Sequence, residues 1–272
     1  MAAPAAGSGW GASGSGPAGS ARARDAGPRQ RPSQRGRPDR GGPPAPAANP
    51  SGMCGRFTQT RPEADLALRF ALTLPLAGLD LRPRYNVAPG QGILGIRAGS
   101  EGRRAELYRW GFTPAWLRDG KGPAPINARS ETAATSRLFG PALRRRRLLI
   151  PADGFYEWRR EAGGGKTPLR FTVDGGALFA FAGLWEPPAA DGAPPTCTIL
   201  TTRPNDLVAG SHDRQPVILR PEHEALWLRA AGPAELAAAC EPFPASRMAV
   251  HPVSTVVNSG RFDGPECIRP LG

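Results

Sequence analysis

Cysteine and histidine are both scarce in this chain of 272 residues. The cysteines lie far apart without a C-x-x-C pair, and the histidines lack the spacing of metal ligands. These residues are Cys54, Cys197, Cys240 and Cys267, together with His212, His223 and His251. We therefore expect no metal site and no cofactor. The absence of an export signal favours a reduced, cytosolic setting.

Long apolar runs are also missing. No stretch resembles the apolar core of a signal peptide or is long enough to span a membrane, so we expect no membrane partner. Acidic residues are few: 23 Asp and Glu stand against 35 Lys and Arg, a formal net charge of +12. The resulting pI near 10.9 favours a polyanionic partner. An RNA-processing or membrane-surface role would suit the same charge, but no motif supports either.

The first 52 residues differ in composition from the rest of the chain. Ala, Gly, Pro, Ser and Arg dominate them, and Trp10 is their only aromatic residue. Such a segment cannot bury enough apolar surface to offset the entropy of ordering, so we expect disorder. Its seven arginines and two acids give +5, which leaves +7 of the total +12 on residues 53–272. We expect a boundary at Met53. Residues 1–52 are then upstream sequence translated from a misplaced start, a basic tail for nucleic acid, or a propeptide cut beside Met53.

The remaining 220 residues fit one α+β domain. Helical spacing predicts a helix over residues 63–72 and a second over 221–239, interrupted near Gly232-Pro233. Shorter β-type runs occur at 92–97, 105–110, 148–150, 169–173, 177–183, 196–202 and 217–219. Because helices are few and do not alternate regularly with strands, the pattern favours a curved, mostly antiparallel sheet over a doubly wound parallel one.

The segment Met53-Cys54-Gly55-Arg56-Phe57 opens this domain. If translation starts at Met53 and the methionine is removed, Cys54 carries a free α-amine beside its thiol. Their reference pKa values are about 7.7–8.0 and about 8.5, so both nucleophiles are partly available near neutrality. A terminal 1,2-aminothiol condenses with an aldehyde to an imine and closes it into a stable thiazolidine, whereas an internal cysteine forms only a reversible hemithioacetal.

Four further polar clusters interrupt the β-rich pattern. Tyr85–Gly90 has the composition of a turn, which by itself accounts for Asn86. Asn127 either carries function or caps a helix that starts near Ala128. Glu157, between two large aromatic residues, is either a carboxyl with a raised pKa or the surface partner of a neighbouring arginine, Arg159 or Arg160. His212 is either a proton carrier or a hydrogen-bonded loop residue.

The order and spacing of these motifs resemble the SOS-response-associated peptidase (SRAP) family. The resemblance covers essentially all of residues 53–272 and none of 1–52. It is carried by Cys54, Tyr85–Pro89, Trp110–Phe112, Asn127–Thr132, Asp153–Trp158, His212–Pro216 and His251–Ser254. It implies a β-rich pseudo-barrel with a few flanking helices, and a sensor that crosslinks covalently to abasic sites in single-stranded DNA.

The resemblance also implies the site. Cys54, once exposed, is the crosslinking residue. Glu157 assists opening of the sugar and loss of water, His212 moves protons, and Asn127 holds the terminal amine or the sugar. The same imine allows β-elimination at the 3′ phosphate, a lyase activity, and the family name implies self-processing by a peptidase. We expect a monomer.

The predicted DNA contacts follow the same resemblance. They are Arg56, Asn86, Pro89, Trp116, Arg129, Phe139 and Arg214. Arginine binds phosphate oxygens in pairs, and aromatic rings stack on bases at roughly 1–3 kcal/mol per base. For Trp116 and Phe139, core packing is the alternative. The run Arg144–Arg147 is expected to be a solvated basic face.

Two other classes of protein remain open from the sequence. One is an N-terminal-nucleophile hydrolase, in which the Cys54 thiol attacks an amide. The other is a non-catalytic binder of single-stranded nucleic acid, in which Cys54 has no chemical role.

Overall fold

β-Strands dominate this computed structural model, which describes residues 54–271 except 73–75, 77, 115, 118–121, 123 and 230. The extension 1–52 and the boundary at Met53 lie outside the described residues. The strands are β1 (Phe57–Gln59), β2 (Arg84–Val87), β3 (Gly92–Gly99), β4 (Gly102–Trp110), β5 (Asn127–Arg129), β6 (Arg147–Ala152), β7 (Gly154–Arg160), β8 (Lys166–Val173), β9 (Phe179–Glu186), β10 (Thr196–Thr202), β11 (Gln215–Pro216), β12 (Ile218–Leu219) and β13 (Met248–Pro252). The α-helices are α1 (Glu63–Phe70), α2 (Ser130–Ala133), α3 (Gly140–Arg145), α4 (Asp206–Ala209), α5 (Pro221–Leu228) and α6 (Pro233–Ala239).

Five of the strands close into a barrel. Strand β10 pairs with β4 on one edge and with β9 on the other, and the ring is completed through β3 and β6. Closure leaves no unpaired edge between these strands. The pairings of β10 with β4 and with β5 are parallel, and the other pairings are antiparallel. The predicted α+β fold with a curved, mostly antiparallel sheet is confirmed.

A second sheet, in the order β13-β8-β7-β1-β2, packs beside the barrel through aromatic rings. Phe57 of β1 meets Trp110 of β4 and Phe181 of β9 edge to face, with ring centroids 5.4 and 5.7 Å apart. Phe155 of β7 also lies against Phe181, at 6.2 Å. Such pairs add about 0.5–1.5 kcal/mol beyond the area they bury. This layer fixes β1, and with it the start of the domain, against the barrel wall.

The predicted helices are confirmed within one or two residues. Helix α1 ends at Phe70, and the second predicted helix is divided into α5, which ends at Leu228, and α6, which begins at Pro233. The turn predicted over residues 85–90 is only partly right. Tyr85 to Val87 belong to β2, and the chain turns at Ala88–Gly90, where Gly90 has a φ of 84°. Strands β1, β2, β5, β7, β11 and β13 were not predicted as strands.

Candidate active site

Cys54 is the first residue that the structure describes, and it lies three residues before β1. Pairing of β1 with β7 sets Phe57 opposite Phe155, and the Tyr156 N–H donates to the Arg56 carbonyl at 3.0 Å. Continuing this antiparallel register brings the backbone of residues 54 and 55 alongside Glu157. Cys54 is only 2% exposed, so the sheet buries the residue as well as positioning it.

A buried carboxylate, Asp153, holds β1 in place. Thr58 Oγ1 donates to Asp153 Oδ1, and the Thr60 N–H and hydroxyl donate to Oδ2 at 2.6 and 2.7 Å. Arg170 adds a longer contact to Asp153, at 3.4 Å. We did not single out Asp153 from the sequence, although it lies within a motif that carries the family resemblance. Its role here is to anchor the strand that presents Cys54.

Asn127 contacts Cys54 directly. It begins β5, which pairs with β10, and its Nδ2 donates to the Cys54 carbonyl at 3.0 Å. Its Oδ1 is buried and has no hydrogen-bond partner among the described residues. The alternative that Asn127 caps a helix is wrong, because α2 starts at Ser130 and its N-cap residue is Arg129. Asn127 therefore fixes the Cys54 backbone and leaves one acceptor beside it.

Glu157 lies in β7 and is 1% exposed. Burial raises the pKa of its carboxyl well above the ordinary value, and the Asp213 carboxylate raises it further, while a hydrogen bond with the Cys54 thiol acts in the opposite direction. The alternative of a surface ion pair is wrong, because Arg159 pairs instead with Glu161. Glu157 Oε1 has no hydrogen-bond partner among the described residues. The environment favours a protonated acid that is able to donate.

The same surroundings keep the Cys54 thiol protonated. Burial raises its pKa well above the ordinary value, and at any pH where Glu157 is ionised its carboxylate adds to this effect. A cysteine that attacks first as a thiolate needs the opposite shift, which nearby cations or a helix N-terminus provide. The site therefore favours chemistry in which a different nucleophile attacks before the sulfur does.

His212 lies in the loop that follows α4. Its Nδ1 accepts the backbone N–H of Arg214 at 3.0 Å, and Asp213 Oδ1 lies 3.0 Å from the same nitrogen. Both contacts cannot form at once, since Nδ1 accepts only when it carries no proton and bonds to Asp213 only when it does. Because Asp213 also acts on Glu157, this loop borders the pair of Cys54 and Glu157. The effect of Asp213 on the Glu157 pKa was not predicted from the sequence.

The residues predicted to contact DNA differ in how exposed their side chains are. Trp116 is 70% exposed, Arg129 is exposed, and Pro89 is partly exposed, so all three offer surface to a ligand. Phe139 is partly buried, and its ring centroid lies 5.3 Å from that of Phe112. Packing therefore accounts for Phe139, and its contact with DNA stays a prediction, as do those of the other three residues.

Arg56 and Asn86 are engaged inside the protein. Arg56 Nη1 donates to Asn86 Oδ1 at 2.9 Å and to the Val257 carbonyl at 2.7 Å. Asn86 is 0% exposed, and its Nδ2 donates to three carbonyls, those of Val257, Ser259 and Phe262. A fully buried side chain offers no surface to DNA, so we correct the assignment of Asn86. It holds the segment near the C-terminus against β2.

The expectation of a solvated face over the run of four arginines is only half right. Arg144 and Arg145 are exposed, but Arg146 is ion-paired with Glu186. Arg147 is 7% exposed, and it donates to the carbonyls of Leu143, Trp227 and Arg229, which lie at the ends of α3 and α5. Only the first two arginines of the run are available to a polyanion.

We expect the two halves of this run to respond differently to mutation. Replacing Arg144 and Arg145 by Gln should lower the salt slope of single-stranded DNA binding by up to about 1.4, because each neutralised phosphate contributes roughly 0.7. Arg147→Ala leaves buried carbonyls unpaired and should cost roughly 3 kcal/mol of stability. Salt titrations of binding and urea unfolding measure the two effects. An unchanged slope in the double variant, or wild-type stability in Arg147→Ala, would contradict this assignment.

Among the described residues, no group of three His, Cys, Asp or Glu side chains is arranged to hold a metal ion. No helix in the described part of the chain is long and apolar enough to cross a membrane. The barrel with its second sheet, and a buried cysteine beside a protonated carboxyl and an amide, define a sheet-rich α+β protein with a cysteine-centred reactive site.

Comparison with known proteins assigns the family. Residues 53–260 match the family model for "SOS response associated peptidase (SRAP)", and this chain belongs to that family. It is 42% identical to the abasic site processing protein YoqW of Bacillus subtilis, over 79% of this chain and 99% of YoqW. It is 34% identical to the abasic site processing protein YedK of Escherichia coli, over 80% of this chain and 100% of YedK. It is also 34% identical to the abasic site processing protein HMCES of Gallus gallus, over 70% of this chain and 67% of HMCES.

Solved structures share the fold. A protein of Bacteroides thetaiotaomicron superposes with a TM-score of 0.72 at 23% identity, covering 80% of this chain and all of that one. A protein of Bordetella bronchiseptica gives a TM-score of 0.62 at 28% identity, covering 74% of this chain and all of that one. The SRAP-like pseudo-barrel predicted from the sequence is thereby confirmed.

Proposed function

We propose that this protein processes abasic sites in single-stranded DNA by covalent crosslinking through Cys54, after removal of residues 1–53 makes Cys54 the N-terminal residue. The observation that carries the proposal is the contact of Cys54 with Asn127 and Glu157 in one buried cluster. The relatives named as abasic site processing proteins support it. Action on cellular DNA would place the protein in the cytoplasm, bound at the nucleoid.

The chemistry begins at the amine. An abasic deoxyribose is mostly a closed hemiacetal, and the protonated Glu157 carboxyl donates to it as the ring opens to the aldehyde. The Cys54 α-amine adds to C1′ and gives a carbinolamine, which loses water to form the imine. Asn127 holds the Cys54 backbone during these steps, and His212 moves protons beside it.

The Cys54 sulfur then closes the ring. The thiol adds across the imine, so that its S–C bond forms while its proton passes to nitrogen, and the product is a thiazolidine. The whole sequence releases one water and needs no oxidant or cofactor. A raised thiol pKa suits this order, because sulfur reacts only after the imine has formed. If closure is slow, the imine permits β-elimination at the 3′ phosphate, so lyase activity is the side reaction that we propose.

Self-processing by a peptidase activity is the alternative to crosslinking. Removal of a leader through attack by the Cys54 thiol would need a thiolate, which the raised pKa opposes. We therefore place self-processing second to crosslinking.

Three single-stranded DNAs test the proposal with protein that begins at Cys54. To prepare it, the recognition sequence of a site-specific protease is inserted immediately before Cys54 in the full chain and cleaved, with the released segment kept in the sample. DNA with an abasic site should give an adduct on a denaturing gel, with a mass equal to the sum less one water. Intact DNA and DNA with a tetrahydrofuran analogue, which cannot open to an aldehyde, should give none. An adduct with the analogue, or peptide cleavage without any adduct, would overturn the proposal.

A further inference from the structure

Glu131 connects the Asn127 strand to the loop that carries His212. It lies in the first turn of α2, four residues after Asn127. Its two carboxylate oxygens accept hydrogen bonds from the two Nη atoms of Arg214, at 2.8 and 2.7 Å. These bonds lower the pKa of the Glu131 carboxyl, which keeps it charged at neutral pH. A bidentate pair fixes the orientation of a guanidinium as well as its position.

Arg214 passes this constraint to the imidazole. Its Nη2 also donates to the Thr201 carbonyl in β10 at 2.7 Å, so the side chain is tied to the barrel. Its backbone N–H donates to His212 Nδ1 at 3.0 Å. A ring nitrogen that accepts an N–H carries no proton of its own, so the neutral ring holds its proton on Nε2. Fixing the Arg214 side chain therefore holds its backbone N–H against Nδ1 and favours this tautomer over the Nδ1–H form that a bond to Asp213 Oδ1 needs.

Stability alone does not account for the contact. The Glu131 side chain is 48% exposed and that of Arg214 is 14% exposed, and ion pairs with such an exposed partner add little to folding. Helix α2 has only four residues and has no side-chain cap bond. Arg214 is the only side chain among the described residues to which Glu131 bonds.

We propose that Glu131 is a positioning residue, which acts through Arg214 to hold the His212 ring in its Nε2–H form, in the loop whose Asp213 acts on Glu157. The inference rests on the proposed function, because it assigns His212 a part in crosslinking. It also revises the predicted DNA contact of Arg214. Both Nη atoms face Glu131, so a phosphate would have to compete with a carboxylate for them.

Kinetics supply the first test. Glu131→Ala should lower the single-turnover rate of adduct formation at saturating abasic DNA by about tenfold, a part of the roughly 10²–10⁴-fold that a positioned acid or base contributes. Affinity for intact single-stranded DNA should not change. Glu131→Gln should recover part of the rate, because its amide oxygen still accepts from Arg214. Glu241→Ala is the matched control, since Glu241 forms an exposed pair with Arg203 on its own, and it should leave the rate unchanged.

The tautomer of His212 supplies a second test, which needs no reaction. Long-range proton–nitrogen NMR of the 272-residue chain, with His212 assigned through His212→Gln, should show the Nε2–H form in the wild type and a mixture of tautomers in Glu131→Ala. If wild-type protein formed no adduct, the proposed function would fail while this measurement still tested Glu131. Unchanged ring signals together with an unchanged rate overturn the inference. An unchanged rate with tighter DNA binding also overturns it, and would show that Glu131 shields Arg214 from phosphate. Should Glu131→Ala not fold, the same readouts on Glu131→Gln decide.

Discussion

Protein that begins at Cys54 is expected to form a heat-stable adduct with abasic single-stranded DNA, whereas protein that begins at Met1 is expected to form none. The reason is the bonding of the Cys54 nitrogen in the two proteins. In the longer chain the Cys54 nitrogen belongs to a peptide bond, which does not condense with an aldehyde, and the thiol alone gives only a reversible hemithioacetal. The thiol is also buried, and burial raises its pKa and keeps it protonated, which weakens it further as a lone nucleophile.

Variants separate the two nucleophiles of Cys54. Cys54→Ala keeps the amine and removes sulfur, so any product stops at the labile imine and the heat-stable adduct is lost. Cys54→Ser should give at most a less stable ring. A single Gly added before Cys54 keeps the thiol and blocks the amine, and should abolish the adduct as Cys54→Ala does. Cys240→Ala is the control for loss of another buried thiol. A heat-stable adduct from the Gly-extended protein would contradict the mechanism.

Glu157→Gln should slow adduct formation by about 10²–10⁴-fold, the usual contribution of a positioned general acid. Gln has nearly the same shape, so the Cys54 thiol keeps its neighbour, but an amide does not supply the proton for ring opening and loss of water. Glu161→Gln is the matched control, because Glu161 immediately follows the same strand and is exposed. Single-turnover kinetics on Cys54-first protein measure both. A Glu157→Gln rate within about twofold of the wild type would leave no role for an acid here.

The pH dependence of the adduct-formation rate should also show that Glu157 acts as an acid. The donor is the protonated carboxyl, so the wild-type rate should decline as pH rises through the raised pKa of Glu157. Glu157→Gln should lack that decline. The free energy of unfolding should change with pH in the same direction as the rate. The folded state retains a proton that the unfolded chain releases above about pH 4.3, so folding is favoured below that pH and loses stability as pH rises toward the folded-state pKa. Glu157→Gln should lose less stability over this window in urea unfolding, and an equal loss would show that Glu157 is ionised in the folded protein.

Local patterns were enough to predict the regular elements with simple periodicity. Helix α1 and the broken pair α5 and α6 follow from apolar spacing with Pro and Gly at their ends. The apolar run of β9 and the β-branched residues of β10 were likewise evident. Strands β1 and β7 were not, because they bury polar residues such as Thr58 and Glu157 and so show no alternation.

Local sequence patterns also failed to predict which polar and charged side chains are buried. Four adjacent arginines look alike in sequence, yet Arg147 is buried among carbonyls while Arg144 is exposed. Asn86 was assigned to DNA on the resemblance, and its burial overturned that. In both cases the deciding neighbours, Trp227 and Val257, lie far away along the chain, and no local pattern reports them.

The sequence by itself determined the reactive group, because the chemistry of a 1,2-aminothiol depends only on whether Cys54 is the first residue. It also determined the family, because several motifs occur in one order. Only the tertiary structure decided the protonation states around that group. Burial of Cys54, just before β1, and of Glu157, within β7, raises both pKa values, since a charge that loses water without gaining a cation becomes costly. The structure alone also connected Glu131 through Arg214 to His212, because that link runs between α2 and a loop about 80 residues later that pair only in the folded chain.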